Sequence, residues 1–416
     1  MYLLINVTGH DSPGVTLSLS RALQEHSAVI LDIGQAVILN TLNLGLLVQV
    51  ANKDQVAFIM RDIVLETADR GLSVRFTPID PEAIQATQEE QFDKKRYIVT
   101  LLARHLNGAH IQAVTQAIFN LGLNITRIHR LSSSITPVEH AAALTNPSND
   151  VNGLPATCIE LRLDGKNQPF DHLKSRFLTI SQQFDIDIAF QKDTPFRRNR
   201  RLVCFDMDST LIQCEVIDEL AKAAGVGEQV SEITERAMRG ELDFKASFRE
   251  RVALLKGLPE SALQDLAQRL PLSEGAERLV KTLKRLGYTT AIVSGGFTYF
   301  GEALKKQLGV DHVFANTLAM KNGVVTGEVE EPIVDGARKA TILRQLADAE
   351  KINLEQVIAV GDGANDLPML NLAGLGIAFR AKPLVKASAQ YALDHMGLDG
   401  ILYLLGVSDE ELDEFG

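Results

Sequence analysis

The sequence lacks the features by which membrane, exported and disulfide-bonded proteins are recognised. No uninterrupted apolar run in its 416 residues approaches the length of a membrane-spanning helix. Met1 leads directly into an apolar segment, without the basic region or cleavage site of a secretory signal. The three cysteines, Cys158, Cys204 and Cys214, have no CxxC spacing. We therefore expect a cytoplasmic protein with reduced core thiols and no membrane partner.

An excess of basic charge is also missing. The formal net charge is −11, which disfavours a nucleic-acid partner. The nine histidines are scattered without paired ligand spacing, so we do not expect zinc. What the sequence does contain is 45% hydrophobic residues and mixed charge, over a length that allows two to four domains. This balance is typical of a soluble globular protein.

The most informative segment begins at residue 202. The apolar run Leu202–Phe205 predicts a buried parallel strand, and Asp206, Asp208 and Thr210 follow at its carboxyl end. In open α/β sheets, ligands bind beyond the carboxyl ends of the strands. Two carboxylates and a hydroxyl, with no arginine beside them, suit a hard cation and a phosphoryl group.

Two simpler interpretations apply to the same residues. Their side chains could merely cap the helix that follows. A calcium loop would need Gly at its sixth position and Glu at its twelfth, where this chain has Leu211 and Ile217. The calcium interpretation is therefore excluded, whereas the capping interpretation stays open on this motif alone.

Two later predicted strands are also followed by residues that could bind a ligand. Ser294 and Gly295 follow the strand at 289–293, and Asp362 and Asp366 follow the strand at 357–360. Lys339 lies near the start of a helix predicted at 337–348. Glycine lets backbone N–H groups approach an anion closely. Taken singly, each site also fits an ordinary strand-to-helix turn, a solvated lysine or a helix cap.

Taken together and in this order, the motifs resemble those of the haloacid dehalogenase superfamily, and within it those of the phosphoserine phosphatases. The resemblance covers about residues 200–406. It implies an α/β fold, with a Rossmann-like parallel sheet and a helical cap at about residues 213–270. Amphipathic helices are predicted in that insertion at 216–224, 228–239, 243–255 and 260–268.

The resemblance also implies roles for individual residues. Asp206 would be the nucleophile and Asp208 the general acid and base. One Mg²⁺ per active site would be held by Asp206, the backbone carbonyl of Asp208 and Asp362, with Asp366 supporting them from behind. The substrate-binding residues carried over are Glu215, Met238, Phe244, Arg251, Ser294, Gly295, Lys339 and Asn365. Glu215 suits the α-ammonium of phosphoserine, and Arg251 suits its α-carboxylate.

The implied function is Mg²⁺-dependent hydrolysis of O-phospho-L-serine to L-serine and phosphate through an aspartyl phosphate, the last step of serine biosynthesis. Two alternatives stay open. A related small-molecule phosphomonoesterase, acting on a sugar or nucleotide phosphate, would not need Glu215 and Arg251 together. A catalytically idle amino-acid sensor would not need the intact acids and Lys339.

The amino-terminal half predicts the order β-α-β-β-α-β twice, in residues 1–80 and 96–191, which is the ferredoxin-like arrangement. A polar stretch separates the copies, and a Ser/Thr/Pro/Asn-rich loop at 132–155 interrupts the second. This duplication resembles a tandem pair of ACT domains, modules that often bind amino acids. The following linker is expected to be a solvated basic segment; its arginines are Arg197, Arg198, Arg200 and Arg201.

The loop after the first strand carries the resemblance to amino-acid binding. Gly9 and Gly14 permit a tight turn, and Asp11 could accept an ammonium group while the next helix amino terminus favours a carboxylate. In the second copy Asn107 and His110 replace Asp11 and Gly14, so binding by that loop is not expected. The alternative is that both copies only pack and dimerise. We expect a homodimer, with an amino-acid effector as a further partner.

Overall fold

The structure is a computed structural model, and it describes residues 1–84, 94–133, 157–166 and 170–414. The side chains of residues 170–173 and of Met238 lie outside the described part of the chain, as does nearly all of the predicted 132–155 loop. The chain divides into two compact units, Met1–Lys94 and Lys95–Gly416. No helix in the described ranges is long and apolar enough to cross a membrane.

The first unit is a four-stranded antiparallel sheet, in the order β2-β3-β1-β4, that packs against two helices. Its elements are β1 Tyr2–His10, α1 Val15–Glu25, β2 Val29–Ile38, β3 Thr41–Gln49, α2 Lys53–Ala68 and β4 Ser73–Ile79. Alternation along β1 buries Leu3, Ile5 and Val7 against the helices. This is the ferredoxin-like arrangement expected from the sequence.

The edge strand β2 of this sheet is exposed along its whole length. Its apolar side chains include Ile33, Val37 and Ile38, which are 51%, 43% and 69% exposed. One side of β2 pairs with β3, and no described strand pairs with the other. A long apolar edge of this kind favours association with another strand.

The second unit begins with another antiparallel sheet, in the order β6-β7-β5-β8. Its elements are β5 Lys95–Ala103, α3 Gly108–Asn120, β6 Asn124–Arg130, β7 Thr157–Gly165, α4 Phe170–Phe184 and β8 Asp187–Lys192. Asn107 caps α3, because its side-chain oxygen accepts the backbone N–H groups of Ala109 and His110 at 3.0 and 3.1 Å. The side chain that replaces Asp11 in this copy is therefore used as a helix cap.

A six-stranded parallel sheet follows, in the order β11-β10-β9-β14-β15-β16. Its strands are β9 Leu202–Phe205, β10 Thr289–Phe297, β11 His312–Asn316, β14 Val357–Gly361, β15 Leu375–Phe379 and β16 Tyr391–Leu393. The helices of this region, apart from those numbered α5 to α8 below, are α9 Ala276–Arg285, α10 Thr298–Leu308, α11 Gly336–Ala349, α12 Leu367–Leu372, α13 Pro383–Ser388, α14 Gly400–Leu404 and α15 Asp409–Glu414. Residues of β9, β14 and β15 are all buried, as expected for a sheet covered on both faces.

Four of the five α-helices between β9 and β10 lie where the sequence predicts the helices of the insertion. They are α5 Val216–Ala223, α6 Gly227–Met238, α7 Phe244–Ala253 and α8 Glu260–Ala267. A hairpin that the sequence analysis did not predict, β12 Leu318–Lys321 with β13 Val324–Val329, supports them. The Gly257 N–H donates to the Val325 carbonyl at 2.8 Å, and the Val325 N–H donates to the Leu258 carbonyl at 2.9 Å.

The basic linker is not solvated throughout, contrary to the prediction. Arg197 is 3% exposed and forms a 2.7 Å ion pair with Glu160 of β7, which is 2% exposed. Arg200 is 5% exposed. The prediction was wrong for these two because their burial comes from packing between the second antiparallel sheet and the parallel sheet, which a local run of arginines does not reveal. Arg198 remains exposed.

A second contact of this kind involves Asp187 at the start of β8. Its fully buried carboxylate accepts the backbone N–H groups of Asp394, His395 and Met396 at 2.8, 3.0 and 3.0 Å. These residues directly follow β16, so the edge strands of the two sheets are joined here. The second antiparallel sheet and the parallel sheet therefore form one compact unit.

The three cysteines are free. Cys158 and Cys204 are fully buried, as expected, whereas Cys214 is half-buried. The Cys214 carbonyl accepts the backbone N–H of Ser209 at 3.2 Å, which places this cysteine beside the turn that follows β9.

Candidate active site

Asp206 stands immediately after β9, at the carboxyl edge of the parallel sheet. Its side chain is nearly buried and accepts the backbone N–H of Met207 at 2.7 Å. The same oxygen, Oδ1, lies 2.9 Å from Nζ of Lys339. The carboxylate is thus fixed by one backbone donor and one cation, and the strand directs it toward the region beyond the sheet.

The chain turns sharply after Asp206. Ser209 has φ 54° and ψ 6°, a left-handed conformation that is strained for a residue with a side chain. This turn brings Asp208 back toward the sheet, where its Oδ1 accepts the Val216 N–H at 3.2 Å. The Ser209 hydroxyl donates to Glu215 at 2.7 Å. Both carboxylates of the motif therefore point into one site although they are two residues apart.

Gly296 makes room for this turn. A Cβ atom at Gly296 would lie 2.5 Å from Oδ2 of Asp208 and 2.6 Å from the Met207 methyl group. Only a glycine allows β10 to come this close to Asp208. Gly296 directly follows Ser294 and Gly295 in the chain, but the sequence alone does not show that a side chain is excluded at this position.

Asp362 and Asp366 follow β14, the strand next to β9. One oxygen from each of Asp206, Asp362 and Asp366 lies within 4.8 Å of the others, so the group could hold a metal ion. The two oxygens of Asp366 are already engaged, one with Lys339 Nζ at 2.6 Å and one with the Gly363 N–H at 2.9 Å. The Thr210 hydroxyl lies 3.5 Å from Asp362. Asp206 and Asp362 are consequently the carboxylates with free coordination capacity.

Lys339 is fully buried at the start of α11, so the interpretation as a solvated lysine does not hold. Its ammonium group bridges Asp206 and Asp366. Burial lowers its pKa, but the attraction of the two carboxylates raises it, and the net change in the pKa of Lys339 is a rise. The lysine is therefore a permanent positive charge inside the carboxylate group.

Two carboxyl groups of the site, those of Asp208 and Asp362, have raised pKa values. Burial, with repulsion from Glu215 and Asp206, raises the pKa of Asp208 well above its usual range. Burial, with repulsion from Asp206 and Asp366, raises the pKa of Asp362 to about 8. A protonated Asp208 beside the Asp206 carboxyl group supplies an acid and a nucleophile in the same site.

Ser294 and Gly295 lie within β10, which continues to Phe297 where the prediction ended it at residue 293. The Ser294 hydroxyl is fully buried and accepts the Gly296 N–H at 3.0 Å. Asn316, which the sequence analysis missed, donates to the Gly295 carbonyl at 2.8 Å and accepts the Val334 N–H at 2.7 Å. Asn316 ends β11 without an adjacent motif, so no local pattern distinguished it.

The cap reaches the same site through α7. A Cβ atom at Gly295 would lie 3.1 Å from the ring of Phe244 and 3.7 Å from the side-chain nitrogen of Asn365. Phe244 stacks on Phe248, which contacts Phe297 of β10 with ring centroids 5.6 Å apart. The cap helix, the Ser294 strand and the Asp362 loop therefore meet here.

Arg251 and Glu215 lie on the cap side. The Nε of Arg251 is buried and has no hydrogen-bond partner. Burial lowers the pKa of Arg251, while Asp218, Glu215 and Asp208 act in the opposite direction. Glu215 is exposed at the entrance, where it accepts the Ser209 hydroxyl. Met238 ends α6, and its side chain lies outside the described part of the chain.

Comparison with known proteins agrees with this geometry. Residues 203–371 match the family model of the haloacid dehalogenase-like hydrolases. The chain is 37% identical to phosphoserine phosphatase SerB2 of Mycobacterium tuberculosis over 419 residues, covering 99% of this chain and 94% of the relative. It is 38% identical to a phosphoserine phosphatase of Streptomyces coelicolor, covering 99% and 93%. The chain belongs to the phosphoserine phosphatase family of the haloacid dehalogenase-like hydrolases.

Two other matches agree with this assignment and with the predicted amino-terminal fold. Residues 1–77 match the ACT domain model. A crystal structure of a probable phosphoserine phosphatase from Vibrio cholerae, in unliganded form, is similar with a TM-score of 0.58 and 36% identity. It covers 77% of this chain and 90% of its own. The predicted Rossmann-like and ferredoxin-like folds are thus confirmed.

The candidate effector residues lie in the first unit, at the end of β1 and in the loop that follows it. Gly14 has φ 91°, a left-handed conformation that favours glycine. A Cβ atom at Gly9 would lie 2.6 Å from a Leu72 side-chain carbon. Asp11 is exposed, and its backbone N–H donates to the Asn40 carbonyl at 2.8 Å. Gly9 is required by the close approach of Leu72 and Gly14 by the conformation of the turn, whereas the Asp11 side chain is exposed.

Proposed function

We propose that this chain is a Mg²⁺-dependent phosphoserine phosphatase that hydrolyses O-phospho-L-serine to L-serine and phosphate, the last step of serine biosynthesis. The observation that carries the proposal is the pairing of Asp206, held by Lys339, with a neighbouring Asp208 whose pKa is raised. The relatives that share 93–94% of their length with this chain bear the name phosphoserine phosphatase.

The reaction proceeds in two displacements at phosphorus. An Asp206 oxygen forms a bond to phosphorus while the bond from phosphorus to the seryl oxygen breaks, and Asp208 gives its proton to that oxygen. Water then attacks the aspartyl phosphate. Asp208 takes the proton from this water, and the bond between phosphorus and Asp206 breaks to release phosphate. Lys339 offsets the negative charge of Asp206 before the attack and again when phosphate leaves.

The residues present fit a hard divalent cation. Asp206, Asp362 and the backbone carbonyl of Asp208 would hold one Mg²⁺, since all are oxygen donors. Asp366 would support them from behind, because both of its oxygens are engaged by Lys339 and Gly363. When bound, the cation offsets the repulsion between the carboxylates and the phosphate.

The substrate is oriented by groups on both sides of the site. Ser294 and the Gly295 N–H bind the phosphoryl oxygens, and Asn365 lies beside them. On the cap, Arg251 receives the α-carboxylate through its unpartnered guanidinium, and Glu215 receives the α-ammonium. Phe244 encloses the carbon chain and excludes water, and Met238 is a further substrate-binding residue that the family resemblance implies.

We further propose three domains: residues 1–80 and 96–191 as ACT-like domains, and residues 200–406 as the phosphatase domain with its cap at about 213–270. The first ACT-like domain would bind an amino-acid effector at Gly9, Asp11 and Gly14. The exposed apolar edge of β2 supports a homodimer. A cytoplasmic location agrees with three free cysteines.

Phosphate release from a panel of phosphomonoesters, with and without Mg²⁺, tests the function. Phosphoserine should be hydrolysed fastest, and chelation of Mg²⁺ should stop turnover. Equal rates on sugar and nucleotide phosphates would favour a general phosphomonoesterase, and no release from any ester would favour an amino-acid sensor.

The variant Asp206→Asn tests the covalent step. It should remain folded but inactive, because a carboxamide is not a competent nucleophile, and beryllofluoride should bind only the wild type as an aspartyl-phosphate mimic. Retention of a few per cent of activity by Asp206→Asn would contradict covalent catalysis at this residue.

A further inference from the structure

A large cleft lies at the opposite edge of the parallel sheet from the active site. It has a volume of about 1200 Å³ and is lined by segments that precede four neighbouring strands. Arg200, Leu354, Gly374 and Gln390 come one to three residues before β9, β14, β15 and β16 respectively. Asp206 stands at the other end of β9, so the cleft and the active site share strands but no side chains.

The floor of this cleft contains a buried arginine without an ion-pair partner. Arg200 is 5% exposed. Its Nη1 and Nη2 donate to the carbonyls of Arg197 and Gly374, at 3.0 and 3.4 Å. Its Nε is buried and has no hydrogen-bond partner, and no described carboxylate forms an ion pair with it.

The neighbouring Arg197 differs in that its charge is compensated by Glu160 at 2.7 Å. Burial lowers the pKa of Arg200 to about 10, which records the cost of holding this charge away from water. A buried cation that has only neutral acceptors is a place where an anionic group of a ligand would be stabilised.

The rim of the cleft carries the opposite charge. Asp348 and Glu355 line it and are both exposed. Glu355 is near enough to favour the charged form of Arg200 electrostatically. With Lys192 as the other cation, the lining residues include two positive and two negative groups. A dianion such as phosphate would be repelled by the acidic rim. A zwitterion would place its negative group at Arg200 and its positive group at the rim.

We propose that this cleft binds a small zwitterionic metabolite of the amino-acid class, with its carboxylate at Arg200 and its ammonium group toward Glu355 and Asp348. The remaining lining supports a ligand with some apolar surface, because Phe196, Ile352 and Tyr391 contribute to the walls. This site is formed by residues of the second unit and is separate from the catalytic carboxylates. A ligand held there does not compete with substrate.

Peptide-resolved hydrogen exchange on the full-length protein tests the site, with glycine, L-serine and inorganic phosphate as separate probes at millimolar concentration. Glycine or L-serine should slow exchange in segments 350–356 and 371–376. Protection confined to segments 206–212 and 362–366 would place binding in the active site and overturn the proposal. Protection by phosphate but by neither zwitterion, or by no probe, would also overturn it.

Exposed residues provide the variants, since Arg200→Gln removes a buried side chain and could unfold the protein. Glu355→Gln should weaken zwitterion binding in this cleft by about tenfold, because it removes a charge-assisted contact. Glu350→Gln is the matched control, as Glu350 is an exposed acid nearby that does not line the cleft. Equal affinities for the two variants would refute the ammonium contact. Because no readout uses turnover, the result is independent of the proposed phosphatase activity.

Discussion

Arg251 and Arg249 differ in their surroundings although they are two residues apart on α7. Arg251 is partly buried, and its Nε has no partner, whereas Arg249 is 52% exposed and pairs with Glu331 of the loop after β13. This contrast gives a matched pair of substitutions on one helix.

We expect Arg251→Gln to weaken catalysis on phosphoserine far more than on an aryl phosphate without a carboxylate. Loss of a buried charged contact should lower kcat/KM for phosphoserine by the equivalent of about 2–5 kcal/mol. Arg249→Gln should change both substrates little, since an exposed ion pair contributes about 0–1 kcal/mol. If Arg251→Gln lowered kcat/KM equally for both substrates, Arg251 would support the cap and would not bind the carboxylate.

We also expect metal binding to depend on pH, because of the raised pKa of Asp362. Its pKa is raised to about 8 in the metal-free protein, so at neutral pH the folded chain holds a proton that an unfolded chain releases. The contribution of this group to stability is therefore present at low pH and is lost as pH rises through about 8. The proposed Mg²⁺ would have to displace the same proton, so its apparent affinity should increase from pH 6 to about 8 and then level off.

Calorimetry in two buffers of different ionisation enthalpy measures this coupling directly. Proton release of up to one per Mg²⁺ at neutral pH should fall toward zero above pH 9. Magnesium affinity that is constant between pH 6 and about 8 would show that Asp362 is ionised before the metal binds.

At the scale of elements, α12 lies extremely close to β15. A Cβ atom at Gly376 would lie 2.0 Å from the Leu370 carbonyl oxygen, so helix and strand meet backbone to backbone. The helix begins directly after Asp366, which holds Lys339. Packing between these elements therefore sets the position of a charged group in the active site.

Gly376→Ala should destabilise the second unit by about 3 kcal/mol and lower activity, because α12 must move away from β15. Gly227→Ala is the control, since a Cβ atom there would meet only the Lys222 side chain at 3.9 Å. Urea unfolding followed by fluorescence or circular dichroism compares the two. Equal midpoints would mean that α12 shifts without cost.

The elements that the sequence predicted well are those whose signal is local. Strands β9 and β14 are short buried apolar runs, so their ends and the acids beyond them could be located in advance. The hairpin at 318–329 was missed because its strands are short and partly exposed. The burial of Arg197 was mispredicted because its partner, Glu160, is 37 residues away in a different sheet.

At the scale of the whole molecule, the boundary between compact units falls after Lys94, not after the second ACT-like sheet. That second sheet shares an apolar core with the phosphatase region through residues such as Leu102, Leu131, Leu402 and Leu404. The buried Glu160–Arg197 pair and the Asp187 carboxylate add polar contacts across the same junction.

Deletion of Met1–Lys94 should therefore leave a folded phosphatase, and it should remove sensitivity to any effector that binds through Asp11. Deletion of residues 1–191 should instead lower the melting temperature and promote aggregation, because it exposes the shared core and leaves Arg197 without its partner. Scanning calorimetry and phosphate release on both truncated chains give the comparison. Equal stability of the two would show that the second sheet is not needed by the phosphatase fold.

The environment of the three thiols has a practical consequence. Burial raises the pKa of Cys158 well above its usual range, that of Cys204 to about 12 and that of Cys214 to about 11. Maleimides react with the thiolate, and a raised pKa disfavours the thiolate of Cys214 at neutral pH. A cysteine introduced on an exposed helix would thus take up a fluorophore ahead of the native ones. The unaltered sequence is already a suitable background for energy-transfer spectroscopy between its two units.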